Sequence, residues 1–212
     1  MENPFDFFEE IYCINLDHRK DRWKESLVEF EKLGIKDKVQ RFSAVSRTDG
    51  RIGVIKSNLE IVKMAKKKGH KNVLVFEDDV KFVNNPIENL SLAIEQLKDK
   101  DWELFYLGAN THEKLIKIEP NLIRLRNAFS VHAMAYNQSI YNKFINYGNS
   151  VGEKLVHHLY ILDVWLSSVV QTNNKSYMVN PLIATQRESY SDIEKQVVKQ
   201  DYIEERFKNN IK

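Results

Sequence analysis

Cysteine is almost absent from this sequence, and the single one, Cys13, can close no disulfide within the chain. It lies inside an apolar strand pattern, which makes it a small core residue. Long hydrophobic runs are missing: no apolar stretch approaches the roughly 20 residues of a membrane span. A basic leader is missing too. The first ten residues carry Glu2, Asp6, Glu9 and Glu10, so the expectation is a cytoplasmic protein without a signal peptide. Neither sign of charge prevails, since 32 basic and 30 acidic residues leave a net charge of +2. That excludes a global field for holding nucleic acid, and the local cluster Lys66-Lys67-Lys68 reads as the solvated end of a helix. There is no internal repeat, low-complexity tract or linker. A 212-residue chain with 42% hydrophobic and 29% charged residues suits one globular domain large enough to bury a core.

What is present is a run of four apolar residues that ends in three carboxylates: Val73-Leu74-Val75-Phe76-Glu77-Asp78-Asp79. The apolar part reads as a short strand buried on both faces. Acids at the carboxyl end of such a strand sit where open α/β sheets bind ligands. Crowded carboxylates repel one another unless positive charge sits among them. A divalent cation carrying phosphates supplies it, because Mg²⁺ or Mn²⁺ takes one or two protein carboxylates and fills its shell with phosphate oxygens and water. The alternative is an acidic turn that merely stops a strand.

Around this run, strands and helices alternate. Strands are expected over Glu10 to Leu16, Val39 to Val45, Val73 to Phe76 and Glu103 to Leu107. Helices are expected over Lys20 to Leu33, after a loop spanning Ser46 to Gly53, and from Pro86 through the stripe Ile87, Leu90, Ile94 and Leu97. This order implies an α/β fold with a mostly parallel, Rossmann-like sheet and helices on both sides. The second half is less regular. Strands are expected over Asn121 to Arg126, Ser130 to Tyr136 and near Ser176 to Val179, with helices over Gln138 to Tyr147 and His158 to Gln171. A polar loop follows Pro181, and a charged terminal helix carries Ile203, Phe207 and Ile211, a stripe that packs either internally or on a partner.

Five short motifs occur in series. Ile14-Asn15-Leu16-Asp17 with Arg19 and Arg22 resembles the opening "INLD-x-R-x-x-R" of glycosyltransferase family 25. Arg41-Phe42-Ser43-Ala44-Val45 resembles its "RF-x-A-V". Gly53 with Lys56-Ser57-Asn58 resembles its "G-x-x-x-SH", Asn58 replacing the usual histidine, and the acidic strand resembles its "VLILEDD". Pro181 to Gln186 with Ser191-Asp192-Ile193 resembles its closing "P-x-x-x-x-Q…SDI". The family includes lipopolysaccharide and collagen galactosyltransferases and short relatives in bacteria and large DNA viruses. The resemblance implies a single GT-A domain: residues 10–108 binding a nucleotide sugar, 109–195 binding the acceptor, 196–212 a terminal helix. It also implies a divalent metal, usually Mn²⁺, and transfer with inversion from a UDP-sugar, galactose or glucose, to a glycan or protein hydroxyl.

Site roles follow from these positions. Alternation puts Glu77 and Asp79 on one side and Asp78 on the other. Asp79 is then the metal ligand, Glu77 a second ligand or ribose contact, and Asp78 a ribose or backbone contact. Asn15, Leu16, Arg19 and Arg22 lie where the first strand yields to the first helix, the crevice that receives a base, ribose or phosphates; as an alternative, the two arginines pair with Asp17 and Asp21 on the surface. Ser57 and Asn58 either touch the nucleotide or cap a helix. Gln186 holds the family's position for a metal or phosphate contact, with Arg187 beside it for phosphate. Asp163 lies in the most apolar stretch, where desolvation would raise its pKa toward a general base's range; otherwise it faces solvent. Glu188 and Asp192 come next in line for that role. His132 falls in a strand pattern that alternation could turn toward the site, although a lone strand histidine is more often structural. A metal-dependent phosphohydrolase and a non-catalytic nucleotide- or glycan-binding domain compete with the transferase reading.

Overall fold

Apolar residues on both faces of successive strands demand helices above and below, and the chain supplies them. The computed structural model describes residues 3–152, 161–191, 195–198 and 202–211. In the first half, β1 (Ile11–Asn15), α1 (Lys20–Lys32), β2 (Val39–Ser43), α2 (Gly50–Lys68) and β3 (Asn72–Glu77) alternate. After them come β4 (Val80–Phe82), α3 (Pro86–Leu97) and β5 (Leu104–Tyr106). The second half carries β6 (Asn110–Thr111), β7 (Ile116–Glu119), β8 (Leu122–Arg124), β9 (Ala128–Phe129), β10 (Ala133–Asn137), α4 (Tyr141–Ser150) and α5 (Leu162–Trp165). It closes with β11 (Ser176–Val179), β12 (Ala184–Gln186), β13 (Ser189–Ser191), β14 (Gln196–Val198) and α6 (Tyr202–Asn210). None of the described helices is long and apolar enough to cross a membrane.

The central sheet has the order β2-β1-β3-β10-β5-β11-β8-β7. β1 runs parallel to β2 and β3, β10 antiparallel to β3 and β5, and β11 parallel to β5. β8 then reverses against both β11 and β7. Six of the eight strands therefore share one direction, with β10 and β8 reversed, and the sheet is mostly parallel as the alternation implied. Strand residues divide between its faces with period two. Tyr12 and Ile14 face Ile55, Leu59 and Phe144, whereas Ile11 and Cys13 face Phe30, Leu90 and Leu97. Ile203 and Phe207 of α6 are buried in the first of these clusters, so the terminal stripe packs internally.

Helix signals account for most boundaries. Asp49 caps α2 by accepting the Arg51 amide at 3.0 Å, and Gly69 ends it in the left-handed region at φ 76°. The helix thus begins at Gly50, and the expected Ser46–Gly53 loop is shorter than the residue types suggested. The expected helix over His158 to Gln171 lies partly outside the described residues. Its described part is α5 followed by a π-helical turn at Leu166–Val170 and a 3-10 turn at Gln171–Asn173.

Two features bring the halves together at the carboxyl end of β3. The chain reverses at Asp78-Asp79, and β4 pairs antiparallel with β12, aligning Val80 with Gln186. The approach to β12 passes over β5's end, where the Ile183 and Ala184 amides both donate to the Leu107 carbonyl. Gly108 permits this: a Cβ there would lie 1.8 Å from the Ala184 carbonyl oxygen, a backbone atom that cannot step aside. Gly108→Ala should therefore cost about 1–3 kcal/mol or more, as overpacking does, read as a lower midpoint in urea. An unchanged midpoint would mean that β12 is free to shift.

Candidate active site

Three consecutive carboxylates at the end of a buried strand need compensating groups, and the neighbouring elements provide them. β3 stops at Glu77, so strand alternation stops as well. Asp78 and Asp79, expected on opposite sides, both turn toward Arg22 in the first turn of α1. The Arg22 Nη2 atom lies 2.8 Å from Asp78 Oδ1 and 2.6 Å from Asp79 Oδ2. Asn15, at the end of β1, donates to the other Asp78 oxygen at 2.6 Å and to the Arg19 carbonyl at 3.0 Å, while accepting from Arg41 at 2.8 Å. Arg187 donates to the main-chain oxygens of Asp78 and Val80, both at 2.6 Å. Ser26 donates to the Asp78 carbonyl at 2.8 Å.

Among the described residues Glu77 has no such partner. The Gln186 amide lies 3.4 Å from Glu77 Oε2 and 3.3 Å from Asp79 Oδ1. Burial pushes the Glu77 carboxyl up to about 8, the Asp79 charge adds to this, and Arg22 opposes it. Burial also raises Asp78, against the Arg22 and Asn15 contacts that favour its charged form.

Arg22, the three carboxylates and Gln186 border a cavity of about 520 Å³, within the range of small-molecule sites. Of the residues singled out by sequence, Leu16, Arg22, Ser57, Glu77, Asp78, Asp79, Asp163 and Gln186 all border it. Asp163 opens α5 half-buried on the wall, so it is less desolvated than its apolar neighbours implied. Its charge still reaches Glu77 and adds to the upward push there. The Ser57 hydroxyl is already committed, accepting the Val45 amide and donating to the Gly53 carbonyl, both at 2.8 Å.

Four expected contacts are not on the wall. Asn15 is buried behind Asp78, which it orients. Arg19 pairs with Asp21 at 2.9 Å and donates to the Tyr190 carbonyl at 3.2 Å. Asn58 sits two turns into α2, inside the core, where it accepts the Tyr136 hydroxyl at 3.0 Å. Arg187 lies behind the acidic turn. Asp192 lies outside the described residues. Conversely, the wall includes His18, Arg47, Arg51, Asn110, Ser130 and Tyr202, which sequence reasoning did not place there. Only Arg51 carried a local signal, its position just after the Asp49 cap and glycine.

Among the described residues no three His, Cys, Asp or Glu side chains converge as an all-protein metal cage. The Glu77–Asp79 pair, bridged by Gln186, instead has the sparse ligand set that Mg²⁺ and Mn²⁺ accept when phosphates complete the shell. Asp79 divides its oxygens suitably, Oδ2 on Arg22 and Oδ1 facing Gln186 and Glu77.

No family model matches the chain, and no curated protein matches it in sequence, so the resemblance to glycosyltransferase family 25 rests on the short motifs alone. Among solved structures, a glycosyltransferase involved in the glycosylation of the major capsid of PBCV-1 is similar over 78% of this chain and 76% of its own. Identity is 13% and the TM-score 0.50. A197 from STIV is similar over 91% of this chain and 94% of its own, at 11% identity and TM-score 0.50. At such identities the likeness is one of fold, and that fold is GT-A-like.

The raised Glu77 carboxyl has a measurable sign. Its proton is held to about 8 in the fold against an ordinary 4.5. Between these values the folded state binds more protons than the unfolded one, so this contribution to stability is complete below the lower value and is lost as pH rises toward the upper. In chelator-treated protein, the stability of wild type relative to Glu77→Gln should fall steadily from about pH 5 to about pH 8. A difference that stays flat over that range would remove the raised carboxyl.

Proposed function

We propose that the chain is a divalent-metal-dependent, inverting glycosyltransferase of the family 25 type, moving a hexose, galactose or glucose, from a UDP-sugar to a hydroxyl of a glycan or protein, in the cytoplasm. One observation carries the reading: the unpaired Glu77 and the half-paired Asp79 face one cavity at the carboxyl end of the central strand. A GT-A-like fold and the five sequence motifs support it.

On this reading Glu77, Asp79 and Gln186 would hold Mn²⁺ or Mg²⁺, which supplies neutralisation of the departing diphosphate. Arg22 fixes Asp78 and Asp79 from its place on the cavity wall. Arg47 and Arg51 also border the cavity, Arg51 paired with Asp49 at 2.8 Å. Leu16, Ser46 and Val45 offer an apolar and main-chain face for the base and ribose. Asp163, reached from the same cavity, takes the proton from the acceptor hydroxyl. The freed oxygen attacks the anomeric carbon as the bond to the diphosphate breaks on the opposite face, which inverts the centre.

Arg22 also favours a second reading. Its guanidinium already pairs with two of the three acids and offsets one of their charges, as a nucleotide- or glycan-binding domain without metal would require. A phosphohydrolase using two metals is less well served, since the described residues hold no second acidic cluster.

Calorimetry separates these readings. UDP should bind in Mn²⁺, lose most of its affinity in chelator, and bind poorly to Asp79→Asn in either. Equal UDP affinity with and without chelator would select the metal-free reading. Asp163→Asn should lower kcat by at least about 10²-fold, the lower range of general-base catalysis, with donor affinity and Tm near wild type. Near-normal turnover would make Asp163 a wall residue and send the search for the base to Glu188 and Asp192.

A further inference from the structure

A chain of hydrogen bonds runs from the core to the carboxylates through His132, Ser130 and Gln186, and its protons can be counted. His132 is fully buried just before β10, with Nε2 3.3 Å from the Ala184 carbonyl oxygen and Nδ1 2.8 Å from Ser130 Oγ. A carbonyl only accepts, so Nε2 carries the ring hydrogen. The neutral ring of that tautomer leaves Nδ1 as a bare acceptor facing the Ser130 hydroxyl. The hydroxyl of Ser130 has one proton, and the bare nitrogen at 2.8 Å claims it over the Gln186 amide at 3.1 Å.

The Gln186 atom beside Ser130 must then be a donor. Oxygen and nitrogen of a primary amide have nearly the same shape, so the hydrogen-bond network decides which is where. With the amide nitrogen toward Ser130, each link of the chain joins a donor to an acceptor: one amide N–H to Ser130 Oγ, Ser130 O–H to His132 Nδ1, His132 Nε2–H to the Ala184 carbonyl. The amide oxygen then occupies the position 3.4 Å from Glu77 Oε2 and 3.3 Å from Asp79 Oδ1. Three oxygens facing one another at these separations call for positive charge or a proton between them: the proton Glu77 holds in the metal-free protein, and a cation in its place when metal binds.

We infer that Ser130 and His132 are positioning residues that turn the Gln186 carbonyl toward Glu77 and Asp79, completing a three-oxygen divalent-cation site. This rests on the metal-dependent reading above. Two independent features support it. Ser130 is held at φ 73°, a left-handed conformation costly for a residue with a Cβ, which aims its hydroxyl between ring and amide. At Gly108, a Cβ would lie 1.8 Å from the Ala184 oxygen and 3.2 Å from His132 Nε2, so the contact that fixes the tautomer depends on its absence.

Two measurements test the inference. Nitrogen-15 NMR of the metal-free protein should show His132 as the Nε2–H tautomer with an unprotonated Nδ1; the other tautomer, or a charged ring, overturns the inference without any variant. Titration of Mn²⁺ in the presence of UDP, followed by electron paramagnetic resonance, should show Ser130→Ala weakening Mn²⁺ about 10–100-fold, as loss of an outer partner does, with Tm near wild type. His132→Leu should weaken it likewise, and His132→Asn, which keeps an acceptor near the Nδ1 position, should recover part of the loss. Wild-type Mn²⁺ binding that Ser130→Ala leaves unchanged overturns this inference alone. Wild-type protein that binds no Mn²⁺ overturns the metal-dependent reading and this inference with it.

Discussion

The pairing of Arg22 with Asp78 and Asp79 is the interaction on which the rest of the site depends. Both contacts are short and all three side chains are largely shielded from water. Removing one partner from such a buried pair costs about 3–5 kcal/mol, mostly because the remaining charge is stranded. The arginine therefore first makes the acidic turn compatible with a folded sheet end. Its charge is shared between two carboxylates and only partly opposes the burial that holds the Glu77 proton to about 8. One strand end thus carries three acids in three conditions: Asp78 anchored, Asp79 half-anchored, Glu77 unpaired. Only the last two are free to do chemistry.

That division follows from backbone geometry as much as from charge. Because the chain reverses after Glu77, β4 can lie beside β12, and the Arg187 amide donates to the Asp79 carbonyl at 2.7 Å. Arg187 then fastens the turn from behind through two main-chain oxygens. The C-terminal half is held to the acidic turn by pairing that no donor or acceptor needs to initiate. A cavity assembled this way has its acidic wall fixed before any ligand arrives, the preorganisation that electrostatic catalysis requires.

How much of this was legible in the sequence depends on range. The first-half elements other than β4 and the start of α2, the buried Cys13, the helix stop at Gly69 and the solvated Lys66–Lys68 turn follow from local composition and period. So did the location of the acids, since a strand end is a local feature. Their orientation was not legible: alternation separates Asp78 from Asp79, and only the turn after Glu77, which depends on β12 across more than a hundred residues, brings both to Arg22. Arg19 and Arg187 illustrate the same limit. Both look suited to phosphate, yet one is taken by Asp21 and the other by main-chain carbonyls. Ser130 carried no signal at all, because its importance lies in contacts to residues on β12 and before β10.

Asn58 shows why a departure from a motif has to be placed before it is weighed. In sequence it replaces the histidine usual in the resembling family, and that alone keeps a non-catalytic reading in play. In the fold its side chain accepts the Tyr136 hydroxyl at 3.0 Å and donates to the Val54 carbonyl at 2.9 Å, with almost no exposure and no share in the cavity wall. Tyr136 lies on β10, between β3 and β5, so the contact ties α2 to the middle of the sheet. A buried hydroxyl left without such a partner would cost about 1–3 kcal/mol. The position is therefore constrained by the polar needs of the core beneath β3, and its identity speaks to how this sheet is packed. The weight of the choice between a binding domain and a transferase falls instead on Glu77, Asp79 and Asp163, which face the cavity and have polar atoms to spare.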